Sequence, residues 1–182
     1  MKIGIVGCGG RMGQMLVKAV DEATGASLAG GTERPGSALV GGKTGADGAP
    51  VHDTPAALFA AADAVIDFTA PAATVAHAAL AAATGTVLVV GTTGLSKDDE
   101  AALAAAATKV PVVYAPNFSV GVNLLMALTE RAAAILGDDY DMEIVEMHHR
   151  RKVDAPSGTA LGLGRAAAKG RAVELEQVWC KA

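Results

Sequence analysis

Short runs of β-branched and apolar residues alternate with alanine-rich stretches through most of this chain, and this alternation constrains its fold most strongly. The apolar runs predict five strands, at Lys2–Val6, Ser27–Gly31, Ala64–Phe68, Thr86–Val90 and Pro111–Tyr114. The stretches between them predict four helices: Arg11–Glu22, one that begins at Pro55, Pro71–Ala83, and one that ends at Thr108. The last helix begins at a capping box of Ser96 and Asp99. Residues 35–48 predict an irregular glycine-rich loop. Such an alternation is typical of an α/β fold with a doubly wound parallel sheet and right-handed crossovers.

The alternation changes after Pro116. Helices are predicted over Val120–Leu136 and Ser157–Ala168, and strands over Met142–Met147 and Val173–Val178. We therefore predict two domains, residues 1–117 and 118–182.

The composition excludes several classes of protein. With 51% hydrophobic and 19% charged residues the chain is a globular protein rather than a disordered one. A net charge of -4 argues against a nucleic-acid partner. Cys8 and Cys180 are too few and too far apart for a disulfide framework or a metal cluster, which favours a cytoplasmic location and no metal. The N-terminal apolar run is short, so we expect no signal peptide, and we expect no membrane-spanning run of about 18 apolar residues.

A glycine-rich loop, GCGGRMG, lies between the first predicted strand and the first predicted helix. In that setting Gly7 suits a tight turn, Gly9 and Gly10 allow a pyrophosphate to approach the backbone, and Gly13 allows close helix–strand packing. The predicted cofactor residues of this loop are Gly7, Cys8, Gly9, Gly10, Arg11 and Met12. The spacing departs from G-x-G-x-x-G, since Met12 stands where the third glycine belongs, and a merely tight turn is the alternative.

Glu33 lies about 20 residues beyond the loop, at the end of the second predicted strand, where an acid meets ribose hydroxyls. Arg34 beside it suits a 2′-phosphate, so NADH and NADPH both remain open. The loops after the fourth and fifth strands are expected to face the nicotinamide half, because ligands bind at the carboxyl ends of such sheets. Their predicted cofactor residues are Gly91, Thr92, Thr93, Ala115, Pro116, Asn117 and Phe118.

The run HHRRK, residues 148–152, concentrates five cations after a predicted strand. A solvated charge cluster is one interpretation. The other is an anion site, because Ser157 can cap a new helix whose first N–H groups, those of Gly158 and Thr159, would bind a carboxylate. This site suits a small dicarboxylate.

The motifs GCGGRMG, DFTAP, GTTG, APNFSVGVN and EMHHRRKVDAPSGTA resemble those of 4-hydroxy-tetrahydrodipicolinate reductase (dihydrodipicolinate reductase), from Lys2 to about Arg165. The resemblance implies a Rossmann-type dinucleotide-binding domain followed by a partial α+β substrate and oligomerisation domain. It implies hydride transfer from NADH or NADPH to a cyclic dicarboxylate of the diaminopimelate and lysine pathway. The implied roles are general acid for His148, second catalytic cation for Lys152, and substrate binding for His149, Ser157, Gly158 and Thr159.

The resemblance also implies a homotetramer. Members of the family continue past the position of Ala182, so we expect a C-terminally truncated second domain. Two alternatives stay open: an NAD(P)-binding module left inactive by truncation, and another two-domain Rossmann dehydrogenase. A short-chain dehydrogenase is not indicated, because neither Tyr114 nor Tyr140 begins the Tyr-x-x-x-Lys motif of that class.

Overall fold

The computed structural model describes residues 1–148, 150 and 155–180. The chain divides into two compact units, Met1–Ala115 and Pro116–Ala182. The first unit contains seven strands and four helices. They are β1 (Lys2–Val6), α1 (Arg11–Glu22), β2 (Ser27–Thr32), β3 (Lys43–Thr44), β4 (Ala49–His52), α2 (Pro55–Ala61), β5 (Ala64–Asp67), α3 (Pro71–Thr84), β6 (Val87–Val90), α4 (Lys97–Ala107) and β7 (Val112–Tyr114).

The strands of the first unit form one sheet in the order β3-β4-β2-β1-β5-β6-β7. All neighbouring pairs are parallel except β3 and β4. The chain winds outward from β1 in both directions, so the predicted doubly wound α/β sheet is confirmed. The order reverses between β1 and β5, and this is the switch point where open α/β sheets bind ligands.

The core of this unit lies beneath the helices on both faces of the sheet. Leu58 and Phe59 of α2 pack with Val65, Leu88 and Val90, all at most 1% exposed. On average, full burial of an apolar side chain of this size contributes about 1.5–3 kcal/mol. The strands are therefore held by apolar contacts on each face, as expected for parallel sheets.

The structure differs from the sequence predictions in and just after residues 35–48, which were predicted to form an irregular loop. Within and just after the stretch predicted to be irregular, β3 (Lys43–Thr44) pairs antiparallel with β4 (Ala49–His52). Both strands are short, and Pro50 in β4 lacks the N–H that a strand residue normally donates. The capping box of Ser96 and Asp99, by contrast, forms as predicted.

The described residues of the second unit form α5 (Val120–Leu136), a 3-10 turn (Gly137–Asp139), α6 (Gly158–Gly170) and α7 (Leu175–Val178). The two long helices confirm the sequence prediction. Both predicted strands are wrong: residues 142–147 have no regular structure, and Leu175–Val178 forms a single helical turn. Alternating apolar residues form a strand only beside a hydrogen-bonded partner, and the described part of this unit supplies none.

Helices α5 and α6 pack closely because α6 carries glycines at the contact. A Cβ on Gly170 would overlap the carbonyl oxygen of Glu130, and one on Gly162 would overlap the end of Met126. Lys169 adds an exposed ion pair, with its Nζ 3.0 Å from Glu130 Oε1.

Contrary to the sequence expectation, one segment, Val120–Asp139, has the length and hydropathy of a membrane span. Its mean hydropathy is 1.3. One such segment among the residues that the structure describes is weak evidence for a membrane protein, because core helices of soluble proteins meet the same criterion.

Candidate functional site

The loop after β1 makes the tight turn that its glycines predict. Gly7 has a φ of +67°, a conformation that glycine adopts without steric cost. The N–H of Gly10 donates to the Gly7 carbonyl oxygen at 3.0 Å. A Cβ on Gly13 would overlap that oxygen and lie 2.7 Å from the Cα of Cys8. Helix α1 therefore starts directly against the end of β1, and the N–H groups of its first turn are available to an anion.

Glu33 follows β2 and reaches this loop. Its Oε1 accepts the N–H of Gly9 at 2.8 Å. The contact follows from the sheet, because the last residues of β1 and β2, Val6 and Thr32, are register partners. Arg34, next in the chain, is exposed.

A cleft of about 450 Å³ opens beside the glycine loop, within the usual range of roughly 300–1,000 Å³ for ligand pockets. Five predicted cofactor residues line it: Gly7, Gly9, Gly10, Glu33 and Arg34. Five further residues line it that the sequence analysis did not assign: Ser37, Leu39, Phe68, Thr69 and Ala70. The last three belong to the DFTAP motif, and this motif was the sequence feature that could have assigned them to the site. Ser37 and Leu39 lie in the loop predicted to be irregular.

Cys8 is packed beneath the loop rather than facing the cleft. It is 3% exposed, and its backbone N–H donates to the Thr32 carbonyl oxygen at 3.0 Å. Burial, together with the nearby charge of Glu33, raises the pKa of the Cys8 thiol. The thiol is therefore protonated near neutral pH and is a poor nucleophile. Arg11 and Met12 are the first two residues of α1 and are exposed.

The loops after β5 and β6 are joined at the same edge of the sheet. A Cβ on Gly91 would overlap the ring of Phe68, so the two backbones approach closely there. Thr92 is buried, and its hydroxyl accepts the N–H of Thr69 at 3.0 Å. Thr93, the third predicted cofactor residue of this loop, is exposed.

Asp67 and His77 form a buried pair under these loops that the sequence analysis did not identify. His77 Nδ1 lies 2.8 Å from Asp67 Oδ2, and Asp67 is 0% exposed. Burial by itself raises the pKa of Asp67, but hydrogen bonds from His77 and Thr69 outweigh it, so the pKa of Asp67 is lowered. The carboxylate is therefore ionised near neutral pH.

In the second unit the structure brings two predicted segments together. Asn117 Nδ2 donates to Thr159 Oγ1 at 3.1 Å, which joins the residues after β7 to the first turn of α6. Asn117 Oδ1 accepts the N–H of Ser119 at 2.8 Å, and Phe118 is 43% exposed. Thr159 and Gly158 are half-buried.

Ser157 caps α6, as predicted, by accepting the N–H of Ala160 at 3.0 Å. Glu146 is a further residue that the sequence analysis quoted without a role. Its Oε1 accepts the N–H of Ser157 at 2.8 Å, and its Oε2 accepts the Ser157 hydroxyl. His148 Nδ1 lies 3.6 Å from the same Oε2, an ion pair when the imidazole is protonated.

The predicted site residues His149 and Lys152 lie outside the described residues. Among the residues that the structure describes, no group of three or more His, Cys, Asp or Glu is arranged to hold a metal ion.

Comparison with known families identifies the chain's relatives. The model of the dihydrodipicolinate reductase N-terminus matches residues 1–118, and that of the dihydrodipicolinate reductase C-terminus matches residues 121–179. The chain belongs to the dihydrodipicolinate reductase family.

Relatives in this family are similar over nearly the whole chain. The 4-hydroxy-tetrahydrodipicolinate reductase of Dinoroseobacter shibae is 54% identical over 180 residues, which are 96% of this chain and 67% of the relative. That of Rhodopseudomonas palustris is 50% identical over 182 residues, again 67% of the relative. The chain thus spans about two thirds of the length of these curated reductases.

Solved structures agree with the family and the fold. A dipicolinate-bound dihydrodipicolinate reductase from Paenisporosarcina sp. TG-14 matches with a TM-score of 0.76 at 29% identity, over 94% of this chain and 66% of that one. The WlbA dehydrogenase from Chromobactrium violaceum, solved with NADH and UDP-GlcNAcA, matches with a TM-score of 0.57 at 19% identity, over 74% of this chain and 40% of that one. The second likeness is one of fold alone, so another two-domain Rossmann dehydrogenase is not favoured.

Proposed function

We propose that this dihydrodipicolinate reductase forms tetrahydrodipicolinate from 4-hydroxy-tetrahydrodipicolinate in the diaminopimelate pathway to lysine. The 4-hydroxyl group leaves as water to give dihydrodipicolinate, which takes up a hydride from NADH or NADPH and a proton. The observation that carries the proposal is that both family halves match, the first over the glycine-loop cleft and the second over the His148 motif. A small dicarboxylate is the substrate class, consistent with the dipicolinate bound by the Paenisporosarcina relative.

The first unit fits a dinucleotide. Glycines at 7, 9 and 10 leave the backbone open to a pyrophosphate, and the first turn of α1 adds unpaired N–H groups and a partial positive charge. When bound, the nicotinamide supplies the hydride, and the protein supplies orientation and electrostatic field. The remaining proposed contacts are the loops Gly91–Thr93 and Ala115–Phe118.

Glu33 and Arg34 would set the choice of cofactor. The Glu33 carboxylate, already within reach of Gly9, would accept the ribose hydroxyls of NADH, and the exposed Arg34 guanidinium would bind the 2′-phosphate of NADPH. We propose that both cofactors are used.

The test of this choice is a pair of titrations with Arg34→Ala. A hydrogen bond between charged groups contributes about 1.5–3 kcal/mol, so the Kd for NADPH should rise about tenfold or more. The Kd for NADH should stay within about twofold, because NADH has no 2′-phosphate. An equal loss for both cofactors would contradict the role of Arg34.

His148 would protonate the substrate as the hydride arrives. Hydride addition leaves an electron pair on the ring that must take up a proton, and imidazole is the side chain best suited to this near neutral pH. Glu146, 3.6 Å from His148 Nδ1, would hold the imidazole in place. Lys152 would be the second catalytic cation, and His149 would contact the substrate.

The test of these roles is turnover in His148→Gln and Lys152→Ala. Loss of a general acid typically costs about 10²–10⁴-fold, so each variant should lose turnover on that order while its NADPH affinity stays near that of wild type. Arg165→Ala, which removes an exposed cation of α6, is the control and should keep full turnover. Near-normal turnover in either test variant would contradict the assignment.

The alternative of an inactive NAD(P)-binding module makes a different prediction for substrate mimics. We propose that 2,6-pyridinedicarboxylate binds at the basic run and the start of α6, with its carboxylates on Ser157, Gly158 and Thr159 and on His149. Calorimetric titration should show binding to wild type that His149→Ala weakens. Equal binding to both proteins would remove His149 from the site, and no binding to wild type would favour the module.

We also propose a cytoplasmic homo-oligomer, tetrameric as in the family. The second unit exposes large apolar side chains on α5, among them Val120 at 85%, Leu128 at 56% and Ile135 at 68%. Light scattering of the purified chain would test this, and a monomer at micromolar concentration would contradict it.

A further inference from the structure

The buried carboxylate of Asp67 lies under the cofactor cleft, yet the proposed chemistry does not use it. Asp67 is the last residue of β5 and is 0% exposed. An ionised carboxylate without solvent is costly unless several donors surround it. The hydrogen-bond donors that surround the Asp67 carboxylate indicate the role of this buried network.

Those donors come from three different segments at the carboxyl edge of the sheet. The loop after β5 supplies the N–H and hydroxyl of Thr69, at 2.9 and 2.6 Å from Asp67 Oδ1. The loop after β6 supplies the hydroxyl of Thr92, 3.3 Å from the same oxygen. Helix α3 supplies His77, whose ring is fixed by stacking on Phe59 with centroids 5.8 Å apart.

Thr92 is the link between the two loops. Its hydroxyl accepts the N–H of Thr69 at 3.0 Å and the hydroxyl of Thr74 at 2.8 Å, while it donates to Asp67. Thr74 is 0% exposed and Thr92 is 3% exposed. The side chain of Thr92 thus points into the buried network and is engaged on all sides there.

The loop held by this network is a wall of the cleft. Phe68, Thr69 and Ala70 line the cleft together with the glycine loop. Gly91, next to Thr92, packs directly on the Phe68 ring. This wall shares the cleft with Glu33, on the adenosine side of the proposed cofactor. Thr92 itself belongs to the loop 91–93, which is proposed to face the nicotinamide, so a shift of Thr92 would move that loop first.

We propose that Thr92 and Thr74 are positioning residues, which anchor the loop 91–93 on Asp67 and Thr69 and so fix that loop for the nicotinamide half of the cofactor. This proposal rests on the proposed cofactor site. Within the proposed contact loop 91–93 it gives the side chain of Thr92 an indirect role, in contrast to the direct contact predicted from the sequence. The exposed Thr93 is left as the threonine of this loop that can reach the cofactor.

The experiment compares NADH and ADP-ribose binding in Thr92→Val, Thr74→Val and a control, Thr86→Val. Valine keeps the shape of threonine and removes the hydroxyl. Thr86 is the matched control, because it is also 3% exposed and hydrogen-bonded, to the Phe59 carbonyl oxygen at 2.8 Å, but lies before β6 at the opposite edge of the sheet. Binding is followed by NADH fluorescence and by calorimetry, and folding by thermal melting.

Thr92→Val should raise the Kd for NADH about fivefold to tenfold, because one or two hydrogen bonds usually contribute a free energy of that size. The Kd for ADP-ribose should change less than about twofold. Thr74→Val should also raise the Kd for NADH, by a smaller factor than Thr92→Val, and should leave the Kd for ADP-ribose within about twofold. Thr86→Val should lower the melting temperature but leave both affinities unchanged. A purely structural role would instead weaken NADH and ADP-ribose equally.

Two results would overturn the positioning proposal and leave the proposed cofactor site standing: unchanged NADH affinity in Thr92→Val, or equal losses of affinity for NADH and ADP-ribose. Should Thr92→Val not fold, the same two outcomes in Thr74→Val decide the matter. Absence of NADH binding by the wild-type chain would contradict the proposed cofactor site, and this inference with it.

Discussion

Replacing Gly13 by alanine tests whether the close packing of α1 on β1 builds the cofactor site. The added Cβ would overlap the Gly7 carbonyl oxygen and lie 2.7 Å from the Cα of Cys8. Both opposing atoms are backbone, so no side chain can rotate away. Overpacking costs about 1–3 kcal/mol, and an overlap with backbone on both sides belongs at the upper end of about 3 kcal/mol. Alanine returns at most about 1 kcal/mol of helix propensity, so we expect a net loss of about 2 kcal/mol.

Urea unfolding measures this loss. With a typical slope of about 1–3 kcal/mol per molar, the unfolding midpoint should fall by about 1 M. NADH affinity should fall as well, because relief of the overlap moves the start of α1 away from the loop. A Gly13→Ala protein with the wild-type midpoint and wild-type NADH affinity would refute the reasoning.

The matched control is Gly121→Ala, a glycine in the first turn of α5. A Cβ there would lie 3.9 Å from Ser119 Oγ, an ordinary contact. The midpoint should stay the same or rise slightly, since alanine favours a helix by up to about 1 kcal/mol. A fall equal to that of Gly13→Ala would show that the overlap is not the cause.

Two further predictions concern stability. The pKa of Asp67 is lowered in the folded protein, so the unfolded chain binds more protons at acid pH, and this contribution to stability is present above about pH 4 and is lost as the pH falls through the lowered value. Urea midpoints between pH 2.5 and 6 should therefore depend less on pH in Asp67→Asn than in wild type, and parallel curves would contradict this. Ser96→Ala removes the hydroxyl that accepts the N–H of Asp99 at 3.2 Å, and should lower the free energy of unfolding by about 1 kcal/mol in the same assay. An unchanged midpoint would mean that the capping box contributes nothing.

The first unit was largely predictable because its signals are local. Lys2–Val6 and Arg11–Glu22 have the predicted bounds, since a short apolar run ended by glycines and a helix-spaced apolar face each specify one structure. Glu33 was found from its distance to the glycine loop, which the parallel pairing of β1 and β2 fixes. The strand Ala49–His52 was missed, because four residues that include a proline do not form a recognisable pattern.

The second unit was less predictable because strands depend on partners. The segments 142–147 and 173–178 have the apolar content of strands, yet pairing is decided by residues far away in the sequence. The helices α5 and α6 were found because their hydrogen bonds are internal and their spacing is visible in the sequence.

The Asp67 network was beyond sequence reasoning for a similar reason. Asp67 ends an apolar strand and looks like a simple polar boundary. His77 lies ten residues and Thr92 twenty-five residues further on. Only the neighbouring positions of β5, β6 and α3 bring these side chains together.

The central claim is that this chain belongs to the dihydrodipicolinate reductases in activity as well as in sequence. The most direct measurement is NADH and NADPH oxidation by residues 1–182, with the substrate generated in place by the preceding synthase. We predict oxidation that depends on the synthase and on its substrates, with both cofactors. Cofactor binding without any synthase-dependent oxidation would contradict the claim for this chain.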